Sequence, residues 1–408
     1  HGAFRRSALS RKTRFQAWLN MKALRWRATW LLCGVMCVPA GLMAAANTES
    51  DQDFYQWLES DQGQTASLAQ LRTRCDKVVD ATNNLNCSVS VFARMFEAKA
   101  ANQLPDYYLA IRRRHAQAIA SDPELNVLFS MFGRQSIATL RATGDFSVST
   151  AKRHEVLTVY SSPSEGYVSD EVLPYIDVKA ANGVSSRFIV DTGAPQTRVN
   201  AETAKRMGIT LLTDSHYGYS TFYGEHDLSA KLGVFQALKV GGSEFRNVLV
   251  FVSDRDNLLG LDLVGKLGRL KLTKKTLELN AQSPARCDSP VTYSRADINQ
   301  RLTIAARLDR RATLAILDTG NVDYLTSASP GDLPVHVAEN SRHQTFKGEL
   351  DLSGDIRAIT YKYYPGFTIP PSLVSGQYVP SILFGWRVFN DYELNLDTLS
   401  GRSCLNKI

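Results

Sequence analysis

The chain has 408 residues, 44% hydrophobic and 21% charged, an ordinary globular composition with length enough for two or three domains with real cores. Its net charge of +7 would suit a nucleic-acid ligand, but eight basic residues and no acidic one lie within residues 1–46, and without them the rest stands at −1. That distribution excludes a basic surface spread over the folded part, so no nucleic-acid partner is expected.

Residues 1–46 read as a secretion signal. "MKALRWR" gives a basic region from Met21, "ATWLLCGVMCVPAGLM" an uncharged apolar run, and Ala44 to Ala46 small residues before Asn47. The run is about 16 residues, against roughly 20 for a membrane span, and Pro39 and Gly41 fall near its end. The competing reading is a retained anchor. A lipoprotein signal is not expected, because Cys33 and Cys37 lack small residues before them. The expectation is a natural start at Met21, cleavage before Asn47, a periplasmic or secreted protein and no stable membrane insertion once the signal is removed.

Residues 47–150 are predicted to form a helical domain. "SLAQLRTRCDKVVDAT", "VSVFARMFEAKAA" and "DYYLAIRRRHAQAIA" carry apolar residues at helical spacing, and "SDPELNVLFSMF" starts a helix with Asp122 as cap and Pro123 in the first turn. Arg112, Arg113 and Arg114 read as a solvated helix face rather than an anion site.

From about residue 155 the texture changes. "YIDVKA-ANG-VSSRFIV", "FQALKV-GG-SEFRNVLVFV" and "RLTIAARLDRRATLAIL" are strand-rich runs broken by turn residues, which predicts an all-β region of about 250 residues. The expected fold class is therefore α+β, helices first and strands after.

The β region repeats a motif. "FIVDTGAPQTRV" (188–199) and "LAILDTGNVDYL" (314–325) both run an apolar strand into Asp-Thr-Gly. Gly260 follows Asp191, and Gly385 follows Asp318, at nearly the same spacing along the chain, each after two bulky apolar residues, Leu258-Leu259 and Leu383-Phe384. One Asp-Thr-Gly arises by chance in roughly a tenth of such chains, so a single copy is weak and a matched pair is strong. Two carboxylates held close cannot both ionise comfortably and share a proton; the ionised one can take a proton from water while the protonated one donates to a carbonyl.

On these residues the sequence resembles the pepsin and retropepsin clan of aspartic proteases, over about residues 165–408. "VDTGAPQTRVNAETAKRMGI" is most similar to single-lobe retropepsin-like proteins of bacteria. The resemblance implies an all-β bilobal acid-protease domain with lobes at 155–282 and 292–408. It implies Asp191 and Asp318 as the catalytic pair, Thr192 and Thr319 as reciprocal locks, Gly193 and Gly320 as the turns, and Leu259-Gly260 and Phe384-Gly385 packed beneath. A flap is implied between Asp191 and Gly260, with Tyr223-Gly224 as its tip and Tyr217 competing for the role. No cofactor and no metal are implied; the partner is a peptide or protein substrate, and the two lobes meet within one monomer. The helical domain has ten basic and twelve acidic residues between 47 and 150, unlike the basic propeptide of pepsin-type enzymes, and reads as a docking or folding domain.

Two positions depart from the pepsin-like pattern. Ala194 and Asn321 stand where Ser or Thr usually follows the glycine, and Asp323 adds charge beside the second loop. With no hydroxyl at Ala194, only the Asn321 amide left to donate to Asp318, and Asp323 nearby, both apparent pKa values are expected to rise, giving a mildly acidic optimum. The alternatives are a non-catalytic peptide-binding module on the same fold, or lobes that pair with a second chain. Cys75, Cys87, Cys287 and Cys404 allow three disulfide connectivities, of which the domain reading favours Cys75–Cys87 with Cys287–Cys404. "GLDLVGKL" mimics a phosphate loop, but Leu267 stands where a magnesium-binding hydroxyl is required.

Overall fold

The computed structural model describes residues 51–164, 171–219, 221–225, 228–294, 301–336, 341–369, 380–398 and 400–408. The signal region and the Met21 start lie outside the described residues. Among the described residues the chain is mostly β, with a helical N-terminal part, and no helix is long and apolar enough to cross a membrane.

Several helices of the N-terminal part have clear start signals. Leu68–Cys75 opens with a capping box between Ser67 and Gln70, and Ala81–Glu97 opens with Asp80 accepting from the Asn83 N–H at 2.9 Å. Pro123–Leu128 begins as expected, with the Leu125 N–H donating to Asp122 at 3.2 Å. Arg112, Arg113 and Arg114 are exposed. The apolar face, with Phe92, Met95, Tyr108, Phe129 and Phe132 buried, does not close on itself: it shares one core with Leu212, Leu232, Leu249 and Phe251 of the β region. Burying that face against the sheet, rather than helix propensity, holds these short helices in place.

Two sheets follow. In the nine-stranded sheet, Leu258–Gly260 lies between Arg198–Asn200 and Ser185–Asp191, and the long hairpin Thr210–Tyr219 with Leu228–Val240 forms one edge. In the thirteen-stranded sheet, Pro380–Phe384 lies between Leu325–Ser327 and Arg311–Leu317. Glu155–Thr158, Arg269–Leu272 and Thr276–Leu279 join this second sheet through Tyr392–Asp397. Disulfides link Cys75 to Cys87 and Cys287 to Cys404, the pairing expected from the sequence.

Candidate active site

Each Asp-Thr-Gly loop hangs from a buried strand. Ser185–Asp191 runs parallel to Leu258–Gly260, with Gly260 opposite Asp191; Arg311–Leu317 runs parallel to Pro380–Phe384, and the Asp318 N–H donates to the Phe384 carbonyl at 2.8 Å. The duplicated apolar-apolar-Gly segments are thus the strands under the loops. A side chain at Gly260 would strike the backbone of Gln196 and Thr197, and one at Gly385 the carbonyls of Asn321 and Asp323. Only glycine permits that approach.

The loops lock to each other. The Thr192 N–H donates to Thr319 Oγ1 at 3.0 Å and the Thr319 N–H to Thr192 Oγ1 at 3.1 Å. Each hydroxyl then donates across the pair, Thr192 to the Leu317 carbonyl at 2.7 Å and Thr319 to the Val190 carbonyl at 2.5 Å. Both threonines are essentially inaccessible. The lock sets each carboxyl against the glycine of the opposite loop, so that Asp318 feels the charge of Asp191. Gly193 lies against Asp318 and Gly320 against Asp191, where any side chain would collide with the opposite carboxyl.

The two acids are buried but not equivalent. Asp191 is raised above its ordinary pKa by burial, opposed by the Ala194 and Gly193 N–H groups, both donating at 2.9 Å, and by the positive charge of Arg198. Asp318 is raised well above its ordinary value, by burial first and then by the Asp191 charge, and receives one backbone bond, from Gly320 at 3.1 Å. The two backbone N–H donors on Asp191, against one on Asp318, favour the negative charge of the pair on Asp191.

Two sequence expectations are corrected here. The Asn321 amide does not donate to Asp318: its Nδ2 donates to Thr326 Oγ1 at 3.0 Å and its Oδ1 accepts the Asp323 N–H at 2.9 Å, turning the side chain away. Asp323 is not a loose negative charge. It is buried, paired with Lys362 at 2.7 Å, and accepts hydroxyls from Tyr364 at 2.9 Å and Thr326 at 3.2 Å.

Tyr223 and Gly224 lie at the tip of the long hairpin, at residues 221–225, where Gly224 has φ +80°. The Tyr223 ring packs edge-on to Tyr364 and beside Phe367, and the Thr368 N–H donates to the Phe222 carbonyl at 3.0 Å. Although 36% of Tyr223 is exposed, its hydroxyl end is enclosed beside Thr326, and burial followed by the charges of Asp318 and Asp323 lifts its pKa well above the ordinary value. Tyr217 instead stacks on Phe251, within the core shared with the helices. Lys362, Tyr364, Thr197 and Asp262 also support the loops. No motif assigns them this role, although Thr197 falls within the first Asp-Thr-Gly segment and Asp262 lies just after Gly260.

A family model described as "gag-polyprotein putative aspartyl protease" matches residues 178–266, which includes Asp191 and Gly260 but not the second loop. No curated protein matches the chain. Solved structures similar to it include an aspartic proteinase from Irpex lacteus (11% identity, 62% of this chain and 97% of that one, TM-score 0.42). Basic 7S globulin from soybean is another (12%, 62% and 95%, TM-score 0.38), and a retropepsin-like aspartic protease from Rickettsia conorii a third (19%, 33% and 94%, TM-score 0.23). The interlocked Asp-Thr-Gly loops and the match over residues 178–266 give this chain an aspartic protease-like fold.

Proposed function

We propose that the chain is an exported aspartic endopeptidase whose active site forms within one monomer, between lobes at 155–282 and 292–408. The observation that carries this reading is the pair of buried carboxyls, Asp191 and Asp318, each set against the opposite loop's glycine on loops locked by Thr192 and Thr319. In the reaction, ionised Asp191 takes a proton from a water as its oxygen attacks the scissile carbonyl carbon. Asp318 gives its proton to the carbonyl oxygen. The tetrahedral diol then breaks its C–N bond as Asp191 gives its newly acquired proton to the amide nitrogen, one diol hydroxyl returns its proton to Asp318 as the new carbonyl forms, and the pair is back to one shared proton. Tyr223 and Gly224 would cover the substrate.

Two disulfides and the absence, among the described residues, of a membrane-spanning helix are compatible with a periplasmic or extracellular protein. Export through the signal at residues 1–46 belongs to the same proposal and is checked by N-terminal sequencing, where a retained Met21 would overturn it. For residues 47–150 we favour a folding or docking role, since their core is shared with the sheet.

The test is a peptide-library digest with wild type, Asp191→Asn and Asp318→Asn side by side. The expected result is cleavage by wild type alone, without external activators. Wild type that is folded but cleaves nothing at any pH would leave a peptide-binding module as the better reading.

A further inference from the structure

Helix Ala81–Glu97 ends in an unusual way. The Lys99 N–H donates to the Phe96 carbonyl at 3.0 Å and the Ala100 N–H to the Met95 carbonyl at 3.0 Å, the paired pattern of a glycine-type helix end. Yet the residue in the left-handed conformation is lysine, at φ +57°. Glycine or asparagine fits such a position with less strain. The side chain accounts for the choice. Lys99 is 1% exposed, and its ammonium has three partners for its three protons: an ion pair with Asp262, Gln196 Oε1 at 2.8 Å, and the Leu249 carbonyl at 2.9 Å.

Those partners surround the base of the first loop. Gln196 closely follows Asp191 in the chain. Asp262, fully buried, accepts the Thr197 hydroxyl at 2.7 Å, and Thr197 Oγ1 accepts the Gly260 N–H at 3.1 Å. Gly260 in turn lies opposite Asp191 in the sheet. Lys266 adds a second tie, donating to the carbonyls of Glu97 and Asp262, both at 3.0 Å. A buried ion pair is a poor device for stability alone, since an apolar pair of similar volume serves as well, but it fixes register where it joins two parts of a chain.

We propose that Lys99 is a positioning residue for the Asp191 loop, and that the helical segment is a permanent part of the catalytic unit rather than a removable inhibitor. The catalytic role rests on the protease reading; the ordering of the loop does not.

The experiment uses the full chain carrying Lys99→Met with Asp262→Asn, which removes both charges and keeps the volume. Amide hydrogen exchange is followed by mass spectrometry over 188–200, with 314–327 as internal control, beside kinetics on a cleaved peptide. Exchange over 188–200 should rise about tenfold, while 314–327 keeps its wild-type rate. The kcat should fall roughly 10- to 100-fold with KM nearly unchanged, because a displaced carboxyl spoils chemistry more than binding. Wild-type exchange in both segments of a folded double variant overturns the proposal, whatever the activity. A wild type that cleaves nothing, together with loosening confined to 188–200, sinks the protease reading and leaves the positioning role intact. If the double variant does not fold, Gln196→Leu removes one acceptor of the Lys99 ammonium and should loosen the same segment to a smaller extent. Unchanged exchange there also overturns the proposal.

Discussion

The two Asp-Thr-Gly loops share their inner halves and differ in their outer halves. Thr192 and Thr319 exchange equivalent hydrogen bonds, and Gly193 and Gly320 make room for the opposite carboxyl. Behind this plane the first loop leans on another part of the chain, the Lys99–Asp262 pair from the helical segment. The second leans on its own neighbourhood, through Asn321 with Thr326 and Asp323 with Lys362 and Tyr364. Parts that must meet their counterpart stay alike across the duplication; parts that face outward diverge. The divergence reaches the carboxyls, since Asp191 collects two backbone N–H donors and Asp318 one.

The largest effect tests the shared half. Asp191→Asn and Asp318→Asn should each lower kcat by roughly a thousandfold or more, because one acid cannot serve as both base and proton donor. A variant retaining a tenth of wild-type activity would break the pairing. The same variants expose the asymmetry in stability. Burial raises both folded-state pKa values, Asp318 the more. A raised carboxyl favours folding below the unfolded value of 3.8, and that contribution is lost as pH rises through the folded value. Asp318→Asn should therefore raise the Tm near neutral pH, with the gain vanishing at about pH 3, and Asp191→Asn should gain less. Scanning calorimetry across this range checks the order; equal gains would mean that the donor count does not matter.

The braces should differ next. Lys99→Met leaves Asp262 charged and fully buried, at a cost of about 3–5 kcal/mol. Lys362→Met leaves Asp323 with two hydroxyl donors, and the Lys362 side chain is 21% exposed, so the cost should be about 1–2 kcal/mol. Urea unfolding of both variants gives the difference; a larger loss at Lys362 would reverse the assignment of which loop depends on a distant brace.

What is legible in the sequence follows the same division. The strand-loop-glycine units can be read because their requirements are local: an apolar run, a turn that needs glycine, and a later strand, similarly spaced in both copies, that must pack beneath without a side chain. The disulfide pairing follows from domain order. The fate of Asn321 and Asp323 is not legible, because residue type gives donor capacity but not direction; Thr326 and Lys362 decide where those side chains point. Nor is the role of Lys99, since its acceptor Asp262 lies in a distant part of the chain and a lysine at a helix end is ordinarily solvated.

The smallest effect concerns the residue after each glycine. Ala194 already donates its backbone N–H to Asp191 at 2.9 Å, but its methyl has no donor. Ala194→Ser adds a hydroxyl at that place. A donor to the ionised form lowers the pKa, and a bond of about 1 kcal/mol corresponds to roughly 0.7 pH unit. The acidic limb of kcat/KM should therefore move down by roughly half a unit to one unit, from a wild-type optimum at about pH 5–6.5. The basic limb should move less, because it reports loss of the pair's shared proton, and the added donor favours the ionised form of Asp191 alone. Asn321→Ser is the matched control. Its side chain serves Thr326 and the Asp323 N–H rather than Asp318, so the limbs should stay within about 0.2 unit, while each lost bond costs about 1 kcal/mol of stability. A wild-type optimum below about pH 4, or equal limb shifts in the two variants, would show that the carboxyls draw on donors other than the backbone N–H groups that set them apart.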